Sequence, residues 1–274
     1  MRDSTPPPIR FATYLAPNMQ RVYAQIVAYE GRRAGRPTTL VSGTSFAAFD
    51  RGEIDAGFIC SWPYVELTRC RDRGQKPAVE LLAAPVLQGA RYADRPICFS
   101  DVIVHRDSAH QTFLDLRGCS WAYNDRDSHS GYNLTRYTLV CLGETRGFFG
   151  HVVEAGFHQE AIRLVASGAV DAAAIDSQAL AVELRDHPQL QDQVRIIDTL
   201  GPSTIQPVVA AQRLASPLKN ALRAAFRTLG DDPTMRATLD AGFIARFIPI
   251  NDATYDDIRA MITAAEAAGL LELA

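Results

Sequence analysis

Two stretches of this chain repeat one pattern, and the repeat constrains the fold more than any other sequence feature. Residues 49–61 and 165–177 align so that Gly52 matches Gly168, 116 residues later. In each copy the pattern predicts a helix that ends at the glycine, a tight turn, and then a strand of small apolar residues. A period this long does not suit a solenoid. It predicts an α/β protein with two similar lobes, each with a mostly parallel sheet flanked by helices.

The residues that follow the two repeated strands are candidates for ligand contact. Ligands of open parallel sheets bind outside the carboxyl ends of the strands. Cys60, Trp62 and Tyr64 follow the first strand, and Asp176 ends the second. A carboxylate at the end of an apolar strand is costly to bury without a partner, which favours a ligand role for Asp176. Trp62 and Tyr64 are either ligand contacts or core residues.

A strand–loop–helix segment is the strongest candidate for an anion site. Residues 119–123 predict a buried strand, and residues 132–142 predict a helix. The loop between them contains Ser128, His129, Ser130 and Gly131. Free backbone N–H groups, serine hydroxyls and the positive end of a helix dipole favour an anion at such a point. The alternatives are an ordinary N-cap for the serines and a solvated loop position for His129.

His158 is predicted close to the N-terminus of a helix over residues 159–166. The helix dipole disfavours protonation of a histidine there unless an anion binds, so His158 is a second candidate ligand contact. The alternative is a core or capping histidine. A metal pair with His151 would require one helix to run through Gly156, so we predict neither a metal nor a cofactor.

Composition excludes several classes of partner. The chain has 274 residues, of which 47% are hydrophobic and 22% charged, with a net charge of −3 and a pI near 6.1. Scattered charges without a basic block argue against a nucleic-acid or membrane-surface partner. No apolar run reaches the roughly 18–20 residues that span a bilayer. The polar, proline-rich residues 1–8 predict no secretion signal.

The five cysteines show no C-x-x-C spacing, and they predict reduced, buried thiols. They are Cys60, Cys70, Cys98, Cys119 and Cys141.

Five motifs follow one another in an order that is typical of one protein family. They lie at residues 115–118, 124–132, 157–161, 168–177 and 247–259. Together they resemble the phosphate/phosphite/phosphonate-binding subgroup of the periplasmic substrate-binding proteins of ABC importers. This resemblance implies the type II periplasmic-binding-protein fold, with two lobes that clamp a ligand. It places lobe 1 at residues 1–98 plus 204–274 and lobe 2 at 99–203, joined by two crossover strands near 97–101 and 199–207.

The resemblance also implies roles for individual residues. A loop similar to Ser-Thr-Ser-Gly holds the phosphoryl oxygens of the family's ligands, and Ser128, Ser130 and Gly131 occupy its places. His129 stands where a threonine is usual. The remaining family positions map onto His158, Asp176, Tyr14 and Tyr64. Trp62, Tyr64 and Tyr132 make the expected site unusually aromatic. This implies a larger or more apolar ligand than a simple phosphonate.

The expected function is therefore that of a non-enzymatic, monomeric solute-binding protein for a small anionic ligand, working with the membrane subunits of an importer. A carboxylate repels a phosphorus oxyanion. We therefore predict that the ligand brings a donor to Asp176, with an ammonium-bearing phosphonate ahead of a singly protonated inorganic anion. Trp62 and Tyr64 could flank that ammonium by cation–π contact.

Two alternatives remain open at this point. One is a cytoplasmic lyase or decarboxylase in which His129, His158 and Asp176 act as acid–base groups. The other is a cytoplasmic ligand sensor that acts through a protein partner. The missing signal favours the cytoplasm, whereas removal of a signal would place the protein in the periplasm or at the cell surface.

Overall fold

The computed structural model describes residues 7–69, 76–144, 146–270 and 272–273. Its strands are β1 (Ile9–Thr13), β2 (Thr38–Ser42), β3 (Ala56–Phe58), β4 (Val79–Leu87), β5 (Ile97–His105), β6 (Ser120–Tyr123), β7 (His151–Glu154), β8 (Ala172–Asp176), β9 (Val194–Thr204), β10 (Val208–Ala211) and β11 (Ile244–Ile248). Its α-helices are α1 (Gln20–Ala34), α2 (Ser61–Thr68), α3 (Leu134–Cys141), α4 (His158–Ala166), α5 (Ser177–Asp186), α6 (Ser216–Leu229), α7 (Arg236–Ala241) and α8 (Asp256–Ala267).

Two compact units make up the described part of the chain. Unit 1 comprises the described residues within Met1–Leu15, Met19–Pro96 and Ile205–Thr254. Unit 2 comprises those within Ala16–Asn18, Ile97–Thr204 and Tyr255–Ala274. The two-lobed α/β fold predicted from the repeat and the motifs is thus confirmed.

The last helix belongs to unit 2, whereas the expected division placed it in lobe 1. Ile258, Met261 and Ile262 on α8 are buried, and the helix packs on α3 and β9. Hydrogen bonds strengthen this packing. Arg136 Nε donates to the carbonyl of Leu270 at 2.7 Å, and the N–H of Thr204 donates to Asp257 at 2.7 Å. Burial of the apolar stripe of α8 decides which unit it joins, and sequence order does not.

Both sheets are mixed rather than mostly parallel. In unit 1 the strand order is β11-β4-β10-β3-β1-β2, and β1 runs parallel to β2 and β3. β10 is antiparallel to β3 and β4, and β11 is antiparallel to β4. In unit 2 the order is β7-β6-β8-β5-β9, with β6 parallel to β7 and β8, and with β5 antiparallel to β8 and β9. The antiparallel strands join each sheet from segments that the repeat does not include.

One copy of the repeat lies in each unit. Gly52 has φ of 75° and Gly168 has φ of 71°, the left-handed conformation that glycine adopts without strain. Gly168 follows the cap residue of α4, as predicted, and its N–H donates to the carbonyl of Val165 at 3.0 Å. In the first copy, only a short 3₁₀ turn at Phe46–Ala48 precedes the glycine. The predicted helix there is therefore wrong.

A buried apolar face of α4 holds the start of that helix in place. Ala161, Ile162 and Val165 are fully buried and pack with Ile103 and Ala122 from the sheet of unit 2. This core holds His158, the first residue of α4, beside the sheet. The position of His158 is therefore set by the hydrophobic core of the unit.

Two expectations from composition can be compared with the structure. Across the ranges that the structure describes, no helix has both the length and the apolarity to cross a membrane. Cys98 is buried, Cys60 and Cys119 are partly buried, and Cys141 is exposed, so the prediction of a buried thiol is wrong for Cys141. Cys70 and residues 1–6 of the N-terminal segment lie outside the described residues.

Candidate functional site

The loop after β6 forms a capped turn into α3. Ser128 has extended backbone angles, and its hydroxyl oxygen accepts a hydrogen bond from the N–H of Gly131 at 3.0 Å. A π-helical turn, His129–Asn133, follows and leads into α3. π-Helical turns are rare and occur frequently at functional sites. The N-cap interpretation therefore holds for the Ser128 oxygen, and the turn brings its residues into the interior of unit 2.

Gly131 is the point at which three parts of unit 2 meet. A Cβ atom at this position would lie 1.9 Å from Asn124 Oδ1 and 3.2 Å from His158 Cε1. Any larger residue would displace the carboxamide of Asn124 and press on the imidazole. Asn124 lies within the motif at residues 124–132, but the sequence patterns predict no role for it. Gly131 was the available signal, because a glycine in a loop marks either a positive φ or a close approach of another group.

Ser130 and His158 form the polar centre of the site. The Ser130 hydroxyl lies 3.3 Å from His158 Nε2, and the hydroxyl of Ser100 donates to the backbone carbonyl of Ser130. All three residues are buried. Burial lowers the pKa of His158 to about 4, so its imidazole is neutral at pH 7. Its other nitrogen, Nδ1, is buried without a hydrogen-bond partner in the described part of the chain.

His129 lies inside the unit and is not a solvated loop residue. It is 1% exposed, and its Nδ1 lies 3.2 Å from the carboxamide nitrogen of Asn133. Burial lowers the pKa of His129 to about 3, which keeps this imidazole neutral as well. His129 therefore brings no charge to the loop at physiological pH.

Asp176 ends β8 and caps α5. One carboxylate oxygen accepts hydrogen bonds from the N–H groups of Gln178 at 2.9 Å and Ala179 at 3.1 Å. Burial and, to a smaller extent, the nearby charge of Asp101 raise the pKa of Asp176 to about 6, although the two hydrogen bonds oppose this shift. The N–H groups of α5 are thus hydrogen-bond partners of the buried carboxylate. The sequence had suggested a ligand as its partner.

These residues form one cluster in unit 2. Ser100, which contacts Ser130, pairs with Asp176 across β5 and β8. The unit 2 cluster is defined as Asn124, Ser128, Ser130, Gly131, His158 and Asp176. Among the described residues, none of its hydrogen bonds and ion pairs involves Arg or Lys. The polar groups that the cluster itself contains are hydroxyl groups, a carboxamide, a neutral imidazole and one carboxyl group.

Two of the predicted aromatic residues are packing residues. Tyr132 is buried, its ring centroid lies 4.7 Å from that of Tyr123, and Arg136 lies over its ring at 5.8 Å. Tyr64 is 1% exposed in unit 1, and its hydroxyl donates to Asp252 at 2.6 Å. Both rings are surrounded by protein, and neither presents a free face.

The other two aromatic residues, both in unit 1, are half-buried. The Tyr14 hydroxyl donates to the carbonyl of Ser45 at 3.0 Å, and the Tyr14 ring stacks on Phe46 at 4.5 Å. Trp62 lies on α2, and its indole N–H donates to Glu66 at 3.2 Å. Partial exposure leaves each ring able to contact a small molecule.

Comparison with known proteins gives the family. Residues 11–255 match the family model described as "ABC transporter, phosphonate, periplasmic substrate-binding protein". Three solved structures illustrate the similarity of fold. A binding protein component of a phosphonate ABC transporter from Pseudomonas aeruginosa is 17% identical, with a TM-score of 0.82 over 96% of this chain and 88% of that one.

The other two structures contain ligands. PhnD1 from Prochlorococcus marinus, in complex with methylphosphonate, is 16% identical, with a TM-score of 0.79 over 92% of this chain and 96% of that one. The alkanesulfonate-binding protein SsuA from Xanthomonas axonopodis, bound to MOPS, is 18% identical, with a TM-score of 0.66 over 98% and 96%. At these identities the structures show the fold, whereas the family model covers most of the chain. The chain therefore belongs to the family of phosphonate-binding periplasmic substrate-binding proteins of ABC transporters.

Proposed function

We propose that this substrate-binding protein captures a small organophosphonate at the unit 2 cluster and delivers it to the membrane subunits of an importer. The observation that carries the proposal is the arrangement of Ser130, Gly131 and His158, which directs a buried hydroxyl and a neutral imidazole toward one point. The family membership supports the same class of ligand. In a buried site, hydrogen bonds to a charged ligand contribute about 1.5–3 kcal/mol each.

Asp176 gives the proposed ligand a second feature. Its carboxylate would repel an oxyanion in a site without Arg or Lys. An ammonium group on the ligand removes this repulsion and lowers the cost of ionising the carboxyl, whose pKa burial raises to about 6. We therefore propose an aminoalkyl phosphonate, with its phosphonate near Ser130 and its ammonium near Asp176.

The ligand role of Tyr14 and Trp62 stays a prediction from the family resemblance, whereas Tyr64 and Tyr132 leave the proposed ligand set. Tyr14 and Trp62 are half-buried, so each can lose exposed surface when a ligand binds. Tyr64 and Tyr132 are at most 3% exposed. Their substitution would change stability before it changed affinity, so we leave them out of the proposed ligand set.

Titration calorimetry with 2-aminoethylphosphonate tests the proposal. Replacing Ser130 with alanine removes one charge-assisted hydrogen bond, so we expect affinity to fall by about 10- to 100-fold. Ser167→Ala is the matched control, because the Ser167 hydroxyl is exposed and bonds only to the carbonyl of Leu164 in the described structure. Unchanged affinity in Ser130→Ala would exclude the loop as the binding site.

The same titrations with ethylphosphonate test the role of Asp176. We expect the wild type to prefer the amine-bearing ligand, and Asp176→Asn to lose that preference while it still caps α5. A wild type without any preference would show that the carboxylate serves only as a helix cap.

A further inference from the structure

We infer that Asn124 and His158 form a subsite that accepts a hydrogen bond from a protonated oxygen of the ligand, so that the protein binds singly protonated phosphonates and rejects sulfonates. The inference rests on the proposed function. It adds Asn124 to the site and names the chemical feature by which the oxyanion is selected.

Two buried polar atoms without partners carry the inference. Asn124 Oδ1 and His158 Nδ1 are both buried, and neither has a hydrogen-bond partner in the part of the chain that the structure describes. Both side chains lie beside Gly131: a Cβ atom there would be 1.9 Å from Asn124 Oδ1 and 3.2 Å from His158 Cε1, the ring carbon bonded to Nδ1. Buried polar atoms in native proteins nearly always have a partner. These two flank a glycine of the proposed site, so a group of the ligand is the partner that we infer for them.

The polarity of these atoms follows from Ser130. To donate its hydroxyl proton to an oxyanion, Ser130 must accept the contact with His158 Nε2 rather than donate it. His158 Nε2 then carries the imidazole proton, and Nδ1 is left as an acceptor, since a neutral imidazole has one of each. A carboxamide oxygen is an acceptor in every state. Two acceptors beside the same glycine call for a hydrogen atom from the ligand, because neither of them supplies one.

The charge of the cluster favours the same ligand state. Asp176 is the cluster's one charged group, and its described contacts bring no Arg or Lys to the site. A phosphonate dianion would enter this site without a counter-charge, and burial of such a charge is expensive. The monoanion halves the charge, and its P–OH supplies the missing donor. A sulfonate has the same shape and charge but no proton, so it would place a bare oxygen against Asn124 Oδ1.

A matched pair of ligands tests the inference on the full chain. 2-Aminoethylphosphonate and 2-aminoethanesulfonate share their carbon chain and ammonium group and differ in the oxyanion. A site that hydrogen-bonds a ligand O–H strongly rejects the analogue without it. We expect calorimetry at pH 7 to show that the sulfonate binds at least about 100-fold more weakly. At pH 8.5, titrations in two buffers of different ionisation enthalpy should show uptake of about one proton per phosphonate bound.

Variants of Asn124 assign the effect to the subsite. Asn124→Ala should reduce the phosphonate-to-sulfonate ratio to about tenfold or less. Asn124→Asp should keep the ratio high, because it retains an acceptor, even as both affinities fall. Asn220→Ala, on the exposed face of α6, is the control and should leave the ratio unchanged.

Three results would overturn the inference. A wild type that binds the phosphonate and the sulfonate within about fivefold would refute proton selection while leaving the proposed function standing. An unchanged ratio in folded Asn124→Ala would remove Asn124 from the site. A wild type that binds no phosphonate at all would overturn the proposed function and this inference with it.

Discussion

In unit 1, Asp55 lies directly before β3 and accepts the backbone N–H of Arg10, in β1, at 2.9 Å. In unit 2, Asp171 lies directly before β8 and accepts the backbone N–H of Ser120, in β6, at 2.7 Å. Each aspartate thus ties the start of one repeated strand to its parallel neighbour. The aspartate shared by the two copies has a structural role, which the repeat by itself did not indicate.

The other ends of the same strands differ. Cys60 precedes α2 and makes no capping hydrogen bond through its side chain. Asp176 precedes α5 and accepts two. The two copies therefore agree where the sheet is held together and diverge at the carboxyl end, where parallel sheets place their ligand contacts. This divergence makes Asp176, and not Asp171, the candidate for a functional role.

The largest expected effect concerns a buried carboxyl group of unit 1, which lacks the kind of backbone hydrogen bonds that Asp176 accepts. Glu30 on α1 is fully buried, both of its carboxylate oxygens lack a hydrogen-bond partner among the described residues, and burial raises its pKa to about 9. In the unfolded chain the Glu30 carboxyl ionises near pH 4.5. Between about pH 4.5 and pH 9, unfolding therefore releases a proton, and the free energy of unfolding falls as the pH rises. Three pH units correspond to about 4 kcal/mol.

Urea unfolding at pH 5 and pH 8 measures this effect. In the wild type, ionisation of Glu30 should lower the free energy of unfolding by about 4 kcal/mol between pH 5 and pH 8. We expect this decrease to be absent in Glu30→Gln. Glu160→Gln, an exposed glutamate on α4, should retain it. If Glu30→Gln shows the same decline as the wild type, the carboxyl is ionised in the folded protein and the contrast with Asp176 disappears.

The second prediction concerns the two shared aspartates. Asp55 accepts hydrogen bonds from Arg10 and Arg213, whose side chains are about 40% exposed, in addition to the backbone N–H. Asp171 is bonded by the N–H and the hydroxyl of Ser120 alone in the described structure. We expect Asp55→Ala to cost about 2–3 kcal/mol of unfolding free energy, after allowance for solvent screening of the arginines. Asp171→Ala should cost about 1 kcal/mol.

Chemical denaturation of both variants provides the measurement. Asp107→Ala is the control, because the Asp107 side chain is 89% exposed and should contribute close to nothing. Equal costs for Asp55 and Asp171 would mean that the two arginines add no stability. The two copies would then be energetically as well as structurally equivalent.

The smallest expected effect comes from giving α2, which follows the first repeated strand, a side-chain N-cap like the one that Asp176 provides for α5. Cys60 has the extended backbone angles of an N-cap residue, with φ of −69° and ψ of 156°. A serine hydroxyl there can accept an N–H from the first turn of α2, so Cys60→Ser should raise stability by about 0.5–1 kcal/mol. Thermal unfolding measures the gain. Cys60→Ala supplies the control without an acceptor, and equal melting temperatures for the two variants would contradict the prediction.

Much of the site could be predicted from local patterns. Ser128, Ser130 and Gly131 were selected because serines and a glycine between a strand and a helix predict an anion loop, and Asp176 was selected because it ends a strand. Asn124 was missed, since its carboxamide matters only through the space that Gly131 leaves for it. The enclosure of Tyr64 and Tyr132 could not be predicted, because the sequence shows that a residue is aromatic but not whether its ring is buried.

The sequence by itself determined the two α/β lobes, the left-handed glycines that end each repeat's first half, and the order of motifs that identifies the family. These features are local, because they depend on periodicity, capping and backbone freedom within a few residues. Tertiary structure alone decided the direction of β10, β11 and β5 in their sheets, the unit that α8 joins, and the burial of His129 and Glu30. Each of these depends on contact with residues far away in the chain, and the free energy of burial is a property of the assembled core.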